Sequence, residues 1–204
     1  MSNIQELLDF EWFNYQPTEI PKLEKISLFD TPKNETDDDR KLRMLRQVSK
    51  TCMACSMCQN GTRPIIIGNE IRDPHAFSNM RLSKYMIVKS KPDWNDLCKG
   101  VASDYRYYKT SLLKCYTDDI TKEDIKLCNP LIQIELNIVK PVLIATVGKI
   151  VFNHFCECDY NSSIGKIVKG REYKVFSLPE FDDTMFNVYL NKLNVFIDVL
   201  ENAK

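Results

Sequence analysis

Three observations predict an α/β fold with a mostly parallel central sheet. From about residue 40 onward, short apolar runs alternate with amphipathic segments, the signature of strands joined by helices. One run, Val142 to Val147 ending in Gly148, is apolar without alternation, as a strand covered on both faces should be. The chain has 204 residues with 44% hydrophobic content, enough for one domain with a buried core plus an appendage, and too apolar for a wholly disordered chain.

The elements follow in order. Residues 1–40 read as an arm, with Pro17, Pro21 and Pro32 breaking any long element and Asp37-Asp38-Asp39 closing it. Ile4 to Phe13 has the spacing of a short amphipathic helix, and residues 22–34 read as extended. Residues 41–204 read as the globular domain. Lys41 to Lys50 is a helix with Leu42, Leu45 and Val48 spaced for burial. Ile65 to Gly68 is a first short strand, Tyr85 to Val88 a second and Thr110 to Leu113 a third. Thr121 and Asp124 form a capping box that opens a helix carrying Ile125, Cys128, Ile132 and Leu136, which Pro141 ends. After the Val142 strand come a helix from Lys149 to Phe155, a strand from Tyr173 to Ser177 and a closing amphipathic helix from Thr184 to Asn202. No internal repeat is visible.

Charge is unevenly placed. The formal net charge is zero, with 28 basic and 28 acidic residues. Residues 1–40 hold ten acids and four bases, so the arm is −6 and the remainder +6. Such a split suits a body that meets a polyanion and an arm that meets another protein. No apolar run reaches the roughly 18 residues of a membrane helix. The start, Met1 to Glu6, lacks the basic and apolar regions of an export signal, so a cytoplasmic location is expected.

Cysteine is abundant, with eight in the chain. In a reducing cytosol, clustered cysteines read as metal or cluster ligands in preference to disulfides. Cys52-Met53-Ala54-Cys55-Ser56-Met57-Cys58 is C-x2-C-x2-C, a spacing that lets neighbouring thiolates converge on one centre. The only histidines are His75 and His154, so a mixed Cys/His zinc site is poorly supplied. Thiolates from this cluster with distant Cys115 and Cys128 suit zinc or an iron–sulfur cluster alike. Cys98, Cys156 and Cys158 read as buried inert thiols.

The order Leu45-x2-Val48, then C-x2-C, then an apolar run ending in Gly68, resembles the start of the iron–sulfur uracil-DNA glycosylases, the family 4 type and its phage relatives. The most specific stretch is Lys109 to Phe155, with Lys114-Cys115, an acidic helix start, Cys128, then Ile134-Glu135-Leu136, Lys140-Pro141 and the strand to Gly148. The resemblance covers roughly residues 41–200. It implies a three-layer α/β/α fold around a four-stranded parallel sheet. It also implies a structural [4Fe–4S] cluster on Cys115, Cys128 and two of Cys52, Cys55 and Cys58, with Cys52 or Cys58 spare and zinc as the alternative metal.

The resemblance also shows what is missing. The family places a carboxylate after its first catalytic strand, an Asn at the end of the next and a late His beside the leaving base. Here Ser90, Ser111 and Leu178 stand at those positions, and the Phe-bearing stretch that stacks on uracil is absent. No catalytic set remains, so a glycosylase-like pseudoenzyme is expected, with an active glycosylase using a rearranged site as the alternative. The old DNA-facing rim retains Lys89, Lys91, Trp94, Arg106, Lys109 and Lys114, where cations meet phosphates and aromatics stack on bases. Weak, sequence-independent DNA binding is the expectation. In the arm, Lys25-Ile26-Ser27-Leu28-Phe29 resembles the short peptide by which bacterial replication proteins dock on the sliding clamp, with Lys25 departing from the usual Gln. Ile26, Leu28 and Phe29 are therefore the expected docking residues for a clamp, a polymerase or another replication or transcription protein. The expected role is a virus-encoded, non-catalytic accessory factor in DNA replication or transcription, with a purely protein-binding module as the further alternative.

Overall fold

A computed structural model describes residues 36–49, 52, 84–92, 106–115, 119–181 and 183–203. The elements run α1 (Asp37–Ser49), β1 (Tyr85–Lys89), β2 (Tyr107–Ser111), α2 (Lys122–Val139), β3 (Leu143–Val147), α3 (Gly148–Phe155), α4 (Tyr160–Ser163), β4 (Ile167–Lys169), β5 (Lys174–Leu178) and α5 (Phe186–Asn202). The expected elements at Ile4–Phe13 and Ile65–Gly68 lie outside the described residues.

The chain divides between Glu35 and Thr36, not after Arg40. The reason is local. Thr36 and Asp39 cap α1 reciprocally: the Asp39 backbone N–H donates to Thr36 Oγ1 at 3.2 Å, and the Thr36 N–H donates to Asp39 Oδ2 at 3.2 Å. Lys41 pairs with Asp37 at 2.8 Å and with Asp38 at 3.2 Å, one turn along. Three acids at a helix N-terminus also complement its dipole. The acidic triplet therefore opens the domain instead of closing the arm. Seven acids and three bases remain in residues 1–35, so that unit carries −4 and the domain +4.

Among the described residues the sheet has five strands in the order β2-β1-β3-β5-β4, of which β4 alone runs antiparallel. The sheet thus has one strand more than the four expected. The fifth, β4, is three residues long at the sheet edge and only partly buried, too short to leave a periodic trace. β1, β2 and β3 are buried at every position, which demands cover on both faces. On one face Ile87, Ala145 and Phe176 form a register row that packs with Leu190, Leu193 and Ile197 of α5. On the other, Tyr108 and Thr110 of β2 bond Glu135 of α2. This is a three-layer α/β/α arrangement.

Helix α2 opens on the expected capping box of Thr121 and Asp124, worth about 1 kcal/mol. It closes on Lys140, which sits in the left-handed region at φ 49° and donates its N–H to Leu136 O at 2.8 Å. β2 begins at Tyr107, three residues earlier than expected, because the aromatic pair Tyr107 and Tyr108 is fully covered by the two flanking layers. α4 was not expected; Asp159 caps it by accepting from the Ser162 N–H at 2.8 Å.

Candidate metal centre and the carboxyl edge of the sheet

β2 runs into the segment Leu112 to Cys115, buried throughout. It stays in register with β1 past the strand ends, because the Leu112 N–H donates to Lys89 O at 2.8 Å and the Leu113 N–H to Ser90 O at 3.0 Å. This fixes the direction of the next residue. The Lys114 backbone N–H points at α2 and donates to Cys128 Sγ at 3.3 Å. Cys115 is buried, and Cys128 and Cys52 are half-buried. Burial pushes the Cys128 thiol up to about 11. The charge and N–H of Lys114 oppose that rise, while the neighbouring Cys115 and Cys52 thiols add to it. Cys128 therefore feels the charge of thiols up to 76 residues away in sequence.

Among the described residues, no group of three or more Cys, His, Asp or Glu is already arranged to hold a metal ion. Cys55 and Cys58, candidates for the remaining ligands, lie outside the described residues. The donor chemistry fits a thiolate-bound centre: soft sulfur ligands, a backbone N–H on one sulfur and a buried ammonium to offset thiolate charge. Cys115, Cys128 and Cys55, with Cys52 or Cys58, would hold such a group.

That ammonium belongs to Lys114, and its position corrects an expectation. Lys114 is 0% exposed, so it cannot face DNA phosphates. Its Nζ bonds the equally buried Glu135 carboxylate, Thr110 Oγ1 at 2.7 Å and Ser111 O at 2.6 Å. Glu135 also accepts from Tyr108 Oη at 2.8 Å and from Thr110 Oγ1 at 2.9 Å. Every charge in this network has a partner, the condition under which a buried ion pair persists. It ties the Cys115 loop, strand β2 and helix α2 into one unit. The sequence held a clue in the charged Glu135 amid the apolar face of α2, but its partner became visible only in three dimensions.

The rest of the expected basic rim is also depleted. Lys89 is 8% exposed and lies over the Phe181 ring with Nζ at 4.2 Å from the centroid. Lys109 is 7% exposed. Both sit on the sheet face that packs with α5, where a pleat position fixes burial whatever the residue. Arg106 pairs with Asp198 of α5 at 3.0 Å, and Lys91 is half-buried. Trp94, and Ile26, Leu28 and Phe29 of the docking segment, lie outside the described residues.

Ligands of open parallel sheets bind at the carboxyl ends of the strands, at the point where strand order reverses, here between β1 and β3. Three positions singled out in the sequence, Ser90, Ser111 and Leu178, lie along this edge. Ser90 follows β1. Ser111 ends β2 and spends its hydroxyl on Leu113 O at 2.6 Å. Leu178 ends β5 and is wholly buried in the α5 core. One acidic side chain that the sequence reading missed stands here. Glu180 follows β5, and its carboxylate lies so near Gly148 that an added Cβ would approach Oε1 to 2.0 Å. Gly148 has φ +82° at the start of α3 and lacks the atom that would clash. Nothing in the sequence marks Glu180, because its place depends on β5 pairing with β3.

No helix among the described residues is long and apolar enough to cross a membrane. No protein-family model and no curated protein matches this chain.

Proposed function

We propose that the chain is a non-catalytic, glycosylase-like protein that binds a [4Fe–4S] cluster and serves as an accessory factor in DNA replication or transcription. The observation that carries this reading is Cys128, whose sulfur accepts the Lys114 backbone N–H beside Cys115 and whose thiol feels the charges of Cys115 and Cys52. Thiols so distant in sequence, one of them accepting a backbone N–H, fit cluster ligands better than inert core residues. The four parallel strands and the apolar or self-bonded side chains at Leu178 and Ser111 fit a glycosylase scaffold without its chemistry.

Anaerobic purification tests the centre. The expected product is brown, with iron and acid-labile sulfide, and both fall away in Cys115→Ser and Cys128→Ser while Cys156→Ser retains them. A colourless protein with stoichiometric zinc overturns the iron–sulfur part. Robust uracil release from single-stranded DNA, lost in Glu180→Gln, would replace the non-catalytic reading with an active enzyme.

The burial of Lys89, Lys109 and Lys114 favours a second reading, a module that binds protein alone. A gel shift at low salt separates the two, since phosphate-driven binding is strongest there. Retention of DNA supports the accessory reading, and its absence supports the protein-only one.

A further inference from the structure

The cysteines expected to be inert include a pair in a different place. α3 ends when the Cys156 N–H donates to Phe152 O at 2.8 Å, and Cys156 itself is extended, at φ −131° and ψ 152°. In extended chain, residues i and i+2 point to the same side and the one between points away. Glu157 accordingly lies outward, paired with Arg171 Nε at 3.3 Å, while the Arg171 N–H donates to Phe155 O at 2.9 Å and holds the β4–β5 turn against this segment. The two thiols, one residue apart, are left on the same side of this extended segment, and the charge of Cys158 bears on Cys156. Cys158 in turn lies 3.7 Å from Ser163 Oγ, whose proton is committed to Asp159 O at 2.6 Å. Cys156 is 3% exposed and Cys158 is exposed.

We propose that Cys156 and Cys158 are a redox-active dithiol that low-molecular-weight disulfides convert to an intramolecular disulfide. The exposed Cys158 thiolate attacks one sulfur of the small disulfide, forming a mixed disulfide and releasing one small thiolate. The Cys156 thiolate then attacks Cys158 Sγ, forming the Cys156–Cys158 bond and expelling the second small thiolate. The two protons of the pair pass to the two leaving thiolates, and two electrons pass from the protein to the small disulfide.

Geometry and charge set the order of events. Burial above all, and then the Cys158 charge and hydrogen bond, push the Cys156 thiol up to about 11, so the buried partner stays protonated while Cys158 reacts. Once Cys158 is in a mixed disulfide its charge is gone, and the Arg171 guanidinium remains to favour the Cys156 thiolate. Two extended residues span roughly 6.6 Å between Cα atoms, at the long end of the range a disulfide bridges. A loop of one intervening residue constrains the unfolded chain little, so the bond is a reversible switch instead of a staple.

The test uses the full chain treated with oxidised glutathione, blocked with iodoacetamide and digested with trypsin. Cleavage after Lys149 and Lys166 isolates Cys156 and Cys158 on a single peptide free of other cysteines. The expected result is that this peptide emerges unalkylated, lighter by two hydrogens, and becomes doubly alkylated after dithiothreitol. In Cys156→Ser, Cys158 should accumulate as the glutathione mixed disulfide. In Cys158→Ser, Cys156 should be neither glutathionylated nor oxidised. A wild-type peptide that remains doubly alkylated, or that stops at the mixed disulfide, overturns the proposal. The readout is confined to this peptide, so it is independent of the metal centre.

Discussion

Removing the Lys114 ammonium while leaving Glu135 in place should be the most damaging single change in the described core. Lys114→Met preserves much of the side-chain volume, so the effect is electrostatic in origin. Both partners are 0% exposed, and the Glu135 carboxylate would lose its ammonium while keeping the hydroxyls of Tyr108 and Thr110. Breaking a buried pair on one side costs about 3–5 kcal/mol, a large part of a total stability of about 5–15 kcal/mol. Replacing both partners should be less harmful. Lys114→Met with Glu135→Met removes both charges of the pair and takes the Glu135 acceptor from the Tyr108 and Thr110 hydroxyls, at about 1–3 kcal/mol. Urea denaturation of the full chain, followed by circular dichroism, gives the three differences from midpoints and slopes. The double variant should be more stable than either single one. A single variant within about 1 kcal/mol of wild type, or a double variant as unstable as the sum of the two, would refute the buried pair as the tie between β2 and α2.

Two further outcomes follow from the geometry. His154 is held below its ordinary pKa by burial and by the Arg171 charge, so the unfolded chain takes up its proton more readily than the folded one. Its contribution is therefore present above the unfolded value of about 6.5 and is lost as pH falls through that value toward the lower folded one; His154→Gln should flatten the fall in urea midpoint between neutral and mildly acid pH, and an unchanged slope would reject this origin. Gly148→Ala drives a Cβ into the Glu180 carboxylate at φ +82° and should destabilise by about 1–3 kcal/mol, with Glu180→Ala in the same chain recovering the steric share and leaving the backbone share; thermal unfolding of the two variants separates them, and no recovery would mean that Glu180 is not the obstacle.

Much of the domain could be read in one dimension because its signals are local. The Thr121 and Asp124 box, the Pro141 stop, the unbroken apolar run of β3 and the apolar spacing of α5 each lie within a few residues of what they specify. The same locality explains the misplacements. Asp37 to Asp39 read as the acidic end of an arm, since a charge run on an exposed segment and the first turn of a capped helix have the same composition. The three residues of β4 and the single turn of α4 are too short for any period to appear.

The linear chain therefore carried the fold class and the parallel strands, because periodicity and caps are properties of neighbouring residues. Burial belongs to the assembled layers. Only there do Lys89 and Lys109 fall on the covered face of the sheet, and Lys114 turns inward to Glu135 instead of outward to phosphate. Only there does the Lys114 N–H reach the Cys128 sulfur, Glu180 reach Gly148, and Glu157 turn outward to Arg171 between Cys156 and Cys158. A charged side chain and a thiol have the same formula on a rim or in a core, and the field around them, set by which strands pair and which helices cover them, decides which chemistry they can perform.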